Sequence, residues 1–537
     1  MGHALILLES LAAALLLVAF VAACTARWRL GLLRWAVPIL VAAVVLVPAG
    51  ATAYGLWYLA GLGTVPFASF VAVACWVLAF LVGAVILLPT ALRPGPDARP
   101  WSRRALAVAF VAAAALTAIT VANLDVAVRA QLAAVQVEAG ARALALVPGR
   151  LAGVPNAAAT YRKAFAALPV TDLARFGDQA EAWEKYDRAT FDPADPTQRE
   201  FLDRQQAGLA LLREAAAVPY CSFDRDWSID TSPLDMRMPE LHPLRHGATL
   251  LAYDALARAT RKDFRGAIDD VAAIFAMARH VHYPLLLDVL FAAAIERTGA
   301  NALEDVLALG LVEPADLARL KIGADDSFRD RLQRTFGMEE AWGLAAFALI
   351  ATGRGHSSPE LRQATMLDDL GEALLASPVY RVFFLEDDLA TYRRHMRTMR
   401  EHAGRAPAAM LDGFAEHDRQ LRATRGGGIL AGLLIPAAHR VAFAALDADA
   451  RRALARTAVA ASAYQAKHGR PPEKVGDLVP DFLSEAPLDP FDGRPLRLRK
   501  ADDGLVIYSL GRDRTDDGGA PWDDAKQAGD LTFRLRR

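Results

Sequence analysis

RALAVAFVAAAALTAITVANLD, from Arg104 to Asp125, is the stretch on which the fold turns. Ala105 to Ala122 is an uncharged apolar run with no Gly or Pro to stop it. It passes through Asn123-Leu124-Asp125 into an amphipathic segment bearing Arg129 and Glu138, which ends at Val147-Pro148-Gly149. Taken as one helix this is roughly 65 Å long at 1.5 Å per residue, twice what a bilayer core needs. The first half is expected to cross a membrane and the second to stand clear of it. The chain before this stretch is apolar, and the chain after it is charged and helical in pattern.

Working outward toward the N-terminus, four apolar segments have the length of spans: about Ala4–Ala23, Ala36–Ala60, Pro66–Leu88 and Ala105–Ala122. Arg27, Arg29 and Arg34 lie between the first two, and Arg93, Arg99, Arg103 and Arg104 between the last two. If all four cross, both basic loops fall on the cytoplasmic face. The expectation is therefore a multi-pass protein of a bacterial inner (cytoplasmic) membrane, with everything after the fourth span outside the cytosol. Trp28, Trp35, Trp57, Tyr58 and Trp101 sit near span ends, where amphipathic rings settle. Val21-Ala22-Ala23-Cys24 has the shape of a lipoprotein cleavage site. Yet its segment lacks a basic start, contains Glu9, and is followed by arginines that resist export. The segment therefore reads as an ordinary span end.

At 537 residues and 54% hydrophobic content, the chain has room for a membrane block and two or three further domains. Its net charge of −1 hides a basic N-terminal part and a mildly acidic remainder. Such a mixed surface argues against nucleic acid as a partner. There are three cysteines, and only Cys221 lies outside the apolar block, so no disulfide can form within the rest.

Working outward toward the C-terminus, residues from Asn156 to roughly Leu421 carry helical periodicity and almost no strand-like alternation. Pro243–Thr260 and Phe264–Val281 place apolar residues at spacings of three and four on either side of Arg261-Lys262-Asp263, a helical hairpin. With small Ala255 and Ala267 flanking its turn, this pair resembles one tetratricopeptide unit. No 34-residue period extends it. Further helices are expected at Pro284–Leu309, Pro314–Leu320, Ser327–Thr352, Pro359–Leu375 and Pro378–His402. On the last, Glu386-Asp387-Asp388 and Arg393-Arg394 read as a solvated face. Ile429–Ala438 is too short to span and reads as core or an interfacial contact.

Between helices, Pro219 to Leu244 is long, irregular and polar, the kind of loop that is usually functional or disordered. It carries Cys221, Asp224, Asp226 and His242, with His246 just beyond. His242 and His246 are one helical turn apart, a spacing that can hold a metal, though Pro243 is expected to start the helix and leave His242 at its cap. Asp224, Asp226, His242 and His246 are the candidate catalytic residues. The competing reading is that the loop caps the helix and covers the core, with Cys221 a buried thiol. Neither HExxH nor GxSxG occurs, and Gly353-Arg354-Gly355-His356 lacks the Gly-Lys-Ser/Thr of a phosphate loop.

The last eighty or so residues change character. A helix from about Val441 to His468 precedes Leu496–Arg499, a turn at Asp502-Asp503-Gly504, and Leu505–Tyr508, a β-hairpin with Asp-Gly at its tip. Leu531–Leu535 alternates as a final strand. Four motifs stand in order: Tyr464-Gln-Ala-Lys-His-Gly-Arg-Pro-Pro, Pro487-Leu-Asp-Pro-Phe-Asp-Gly-Arg-Pro-Leu, Ser509-Leu-Gly-Arg-Asp-Arg and Gly529-Asp-Leu. Together, over about Arg452–Arg537, they resemble the globular part of the type II secretion major pseudopilins. The resemblance implies a long helix on a small antiparallel sheet and a calcium ion bound in the loop before the last strand. By it, Asp513 and Asp530 match acidic positions and Leu510 would contribute a carbonyl, with Asp516, Asp517, Asp523 and Asp524 as additional oxygen donors suited to a hard cation. Arg514 stands where that family has glycine, and the loop is longer. No prepilin leader with its cleavage Gly and following Phe and Glu is present, so the chain is not expected to polymerise as a pilin.

The whole reads as a mainly α membrane protein. Residues 1–125 form a four-helix transmembrane anchor, 126–425 an α-helical extracytoplasmic domain, and 440–537 a pseudopilin-like α+β module. The expected role is protein interaction or scaffolding among envelope proteins. An extracytoplasmic hydrolase with its site at 219–246 is the alternative. Transport through the spans is disfavoured by their lack of polar lining.

Overall fold

The structure, a computed structural model, describes residues 125–168, 186–227, 236–323, 327–353, 373, 375–423, 428–523 and 525–536. The four apolar segments and nearly all of the helix expected over Pro359–Leu375 lie outside these residues. The described part is mainly helical. The amphipathic half of the opening stretch is a helix over 125–146 (α1). Next along the chain are α2 (Ala158–Ala167), α3 (Pro196–Ala217), α4 (Leu241–Thr260), α5 (Phe264–His280), α6 (Leu286–Ala308) and the single turn α7 (Pro314–Leu317). Then come α8 (Phe328–Ala351), α9 (Pro378–Phe383), α10 (Leu385–Ala403), α11 (Pro407–Ala423), the short α12 (Ala431–Leu434) and α13 (Ala438–His468). The strands β1 (Arg497–Ala501), β2 (Gly504–Ser509) and β3 (Leu531–Arg536) close the chain as one antiparallel sheet in that order.

The helical hairpin stands as expected. Asp263 caps α5 by accepting from the Gly266 amide at 3.0 Å, and Lys262 turns the chain with φ of 67°. Ala255 and Ala267 are fully buried where α4 meets α5. At the start of α4 the structure differs from the sequence reading. The helix opens at Leu241, so His242 and Pro243 lie in its first turn, where a missing N–H costs nothing.

The segment expected as one helix over Pro378–His402 is two, broken at Phe384. The break has a polar cause. Asp388 is buried and accepts from the Tyr380 hydroxyl at 2.6 Å and from the Leu430 and Ala431 amides at 2.7 and 3.0 Å. In a continuous helix eight residues span about 12 Å, so the kink helps the Tyr380 ring fold back onto Asp388. Asp388 thus leaves the acidic face read from the sequence and caps α12. Glu386 remains exposed.

One contiguous apolar core runs from Leu132 in α1 to Leu535 in β3. At its centre lies α13. By length and composition alone, Ala431–His468 is apolar enough to cross a membrane. α6, α8, α11 and the sheet pack against it, burying 39% of that apolar window. Leu505 and Ile507 of β2 face Leu535 and Phe533 of β3 as cross-strand pairs, and all four are buried. β2 is covered on its other side too, because Gly519 (φ 78°) brings the following loop onto Val506 and Tyr508.

Replacing Asp388 by Ala strands three buried donors, each costing about 1–3 kcal/mol when unmet. The expected outcome is a loss of about 3 kcal/mol or more in unfolding free energy, read as a lower urea midpoint with unchanged far-UV circular dichroism before the transition.

Candidate functional site

The loop after α3 fills the space beneath it. Cys221 and Phe223 enter the core. Asn156 holds the Ser222 backbone on both sides, donating to its carbonyl and accepting from its amide at 2.9 Å each. Arg225 is the centre of the segment. Its side chain is 2% exposed and donates to Glu240 at 2.7 Å and to both oxygens of Asp288 at 2.7 and 2.8 Å. Its guanidinium also lies 4.3 Å from the centre of the Tyr283 ring, whose hydroxyl donates to the Phe223 carbonyl. A buried arginine bound by two carboxylates and stacked on a ring orders the loop.

The candidate residues stand apart from this centre. Asp224 is exposed and pairs with Arg150 and Arg162 at 3.4 Å each. Asp226 is exposed as well. His242 is exposed with its edge toward the Phe291 ring, 5.0 Å between centroids, and His246 is half-buried one turn along α4. Burial, with Glu240 nearby, pushes the Cys221 thiol up to about 12, so it is protonated at neutral pH. Among the described residues, no three His, Cys, Asp or Glu side chains stand where they would hold one metal ion.

The acidic loop before β3 is organised by hydrogen bonds to its own backbone. Asp513 accepts from the Thr515 and Gly529 amides at 3.1 and 3.3 Å. Asp516 accepts from Gly518 and pairs with Arg497 at 3.3 Å. Asp523 accepts from Ala525 and pairs with Lys526. Asp517 is exposed, Leu510 is held through its amide by Asp489, and Asp524 lies outside the described residues. Asp530 differs. It is fully buried, one oxygen accepts from Gly519 at 2.7 Å, and the other has no hydrogen-bond partner. A calcium shell takes six to eight oxygens. Asp513, Asp516 and Asp523 each give an oxygen to a turn amide, and Asp516 and Asp523 also pair with Arg497 and Lys526; among the described residues no three acidic, His or Cys side chains converge on one point. Burial, with Asp516 and Asp517 adding to it, raises the Asp530 carboxyl to about 6.

Asp489 carries more of this module than any residue of the acidic loop. It is fully buried, accepts from the Phe491 amide and Ser509 hydroxyl through one oxygen, and from the Leu510 amide and Arg497 through the other. It therefore ties the Pro-Leu-Asp-Pro turn to the Ser-Leu-Gly turn.

Two polar clusters escaped the sequence reading. Asp254 of α4 and Asp270 of α5 are both buried and share Arg213 of α3, whose Nε lies 2.5 Å from Asp270, and Arg258, whose Nε lies 2.8 Å from Asp254. Burial pushes the Asp270 carboxyl upward, with Asp254 adding to it against the pull of the arginines. Arg258 lies four residues after Asp254, a visible signal, but Arg213 and Asp270 arrive from other helices. The second cluster is His395 and His402 of α10 with His417 of α11, ring centroids 5.0 Å (His395–His417) and 6.3 Å (His402–His417) apart. Burial lowers all three, His395 to about 4, so they are neutral at pH 7.

Two measurable outcomes rest on these shifts. A carboxyl raised in the folded state contributes stability below its unfolded pKa that is lost as pH rises through the folded one. Asp530→Asn should therefore gain about 1 to 2 kcal/mol on the unsubstituted chain between pH 4 and pH 7, measured by thermal unfolding at both. The Cys221 peptide should stay unmodified by iodoacetamide in the folded chain and become labelled in urea, monitored by mass spectrometry.

No protein-family model, curated protein or solved structure matches this chain.

Proposed function

We propose that this chain is a membrane-anchored bacterial envelope protein with an interaction or scaffolding role. Four N-terminal spans hold it in the inner membrane, and its helical body and pseudopilin-like head work outside the cytosol among protein partners. The arginine-flanked apolar segments support the anchor and its sidedness. The long α13 on a three-stranded antiparallel sheet, with Asp489 joining two of the four motif turns, supports the likeness of the head. The observation that carries the choice of role is Arg225. In the segment with the composition of a hydrolase site, a structural arginine holds the centre, and Asp224, Asp226 and His242 point to solvent.

The reading is tested by fusing a reporter that fluoresces only in the cytosol after Arg537, and separately a periplasm-active alkaline phosphatase. Phosphatase activity without fluorescence is expected. Crosslinking in intact cells with a membrane-impermeant reagent should then capture the chain in complexes with other envelope proteins. Fluorescence from the first fusion overturns the sidedness. Hydrolysis of a generic ester or peptide substrate that disappears in Asp226→Ala or His242→Ala overturns the role.

A further inference from the structure

The helical body and the C-terminal module meet along a cleft of about 400 Å³. Its walls include Leu290 and Arg297 from α6, Phe443 and Arg451 from α13, and Arg512 and Trp522 from the segment between β2 and β3. Ala293 and Ala294 give it depth, because two small residues on α6 leave room a larger side chain would fill. The size is that of a small-molecule site, apolar on most of its surface with a few converging charges.

The charges in it do not balance. Asp447 is the carboxylate in the lining, and it is taken by Arg451 at 2.9 Å. Among the described residues Arg297 and Arg512 have no ion pair. Arg512 is held by aromatic faces instead, 4.3 Å from the Phe443 ring centre and 5.3 Å from that of Trp522. Stacking of this kind fixes the plane of a guanidinium and leaves its N–H fork free to meet a ligand. Burial disfavours the charged form of Arg297, Asp447 favours it, and the like charges of Arg451 and Arg245 oppose it. The buried arginines Arg225, Arg452 and Arg381 are matched by Glu240 and Asp288, by Glu296 and by Asp125, whereas Arg297 and Arg512 keep exposed surface on the cleft. Three arginines against the single carboxylate of Asp447 leave the cleft with a positive excess, and Arg297 and Arg512 present N–H donors there that an anion can take.

We propose that this cleft binds a small organic carboxylate. Its apolar body lies between Leu290 and the Trp522 ring, and its carboxylate is held by Arg297 and Arg512. A carboxylate suits the planar fork of arginine, and the apolar walls favour a carbon body over a bare inorganic ion. The site joins α6, α13 and the segment ahead of β3, so the ligand bridges body and head.

The test uses the full chain in lipid nanodiscs, with empty nanodiscs as the blank. The probe is 3-(4-fluorophenyl)propionate, read by ¹⁹F line broadening, against its uncharged amide and inorganic phosphate. Saturable broadening is expected, with the acid binding about tenfold or more tighter than the amide, the loss expected from removing a charge-assisted hydrogen bond. Arg297→Gln and Arg512→Gln should each weaken the acid by about the same factor. Ala294→Phe fills the cleft without touching a charge and should abolish binding with the thermal midpoint retained. Equal affinity for acid and amide, unaltered binding in both arginine variants, displacement of the probe by equimolar phosphate, or no saturable broadening at millimolar probe each overturns the proposal.

Discussion

Arg452 and Glu296 form a buried bidentate pair, with Nε to Oε1 at 2.5 Å and Nη2 to Oε2 at 2.8 Å, and much of the structure is registered against it. Arg452 is on α13 and Glu296 on α6, so the pair fixes where the long central helix meets the helical body. One turn back along α13, Asp449 accepts from the Ser327 hydroxyl and from the Phe328 and Arg329 amides, capping α8 from outside its own chain segment. Phe328 in turn lies 5.1 Å below the Arg452 guanidinium. Three helices are thereby aligned at one point. Such a pair adds less net stability than an apolar isostere of the same shape, but removing one partner leaves a buried charge alone.

The same device recurs because the helices are rich in alanine. Ala442, Ala445, Ala455, Ala458 and Ala461 are all buried on α13. Small side chains let backbones approach closely, yet they present a smooth surface on which sliding by a turn changes little. Buried ionic and hydrogen-bonded groups penalise such slips, since a shifted helix would strand them. Arg225, Arg381, Arg213 and Asp388 each tie two or more segments in this way. In this chain the polar interior sets register and the apolar interior supplies cohesion.

That division explains what could be read from the sequence. Local signals were legible. Asp263 in the turn before α5 and Asp-Gly at the β-hairpin tip act within a few residues, so spacing reveals them. Non-local signals were not. Asp388 sits within an acidic run typical of a solvated face, and its burial is decided by Tyr380 and by amides more than forty residues away. Arg225 looked like one more charge in a polar loop until Asp288 was brought to it by α6. Cleft residues Arg297, Phe443 and Arg512 are separated by most of the C-terminal half, and no periodicity links them. The segment around Cys221 was the hardest case, because a loop that fills a cavity and one that lines a site share the same composition.

α13 belongs at once to the head and to the body. Its outer face carries β2 and β3, and its inner face carries α6, α8 and α11, with Glu304 of α6 accepting from the Arg534 amide of β3 across the junction. A flexible tether between two modules lets one be pulled or tilted while the other stays at rest. Here the connecting element is itself the interior of both. Tension on the head would be transmitted through packed side chains into the body, and from there through Arg381 and Asp125 into α1, making the molecule a strut and not a leash.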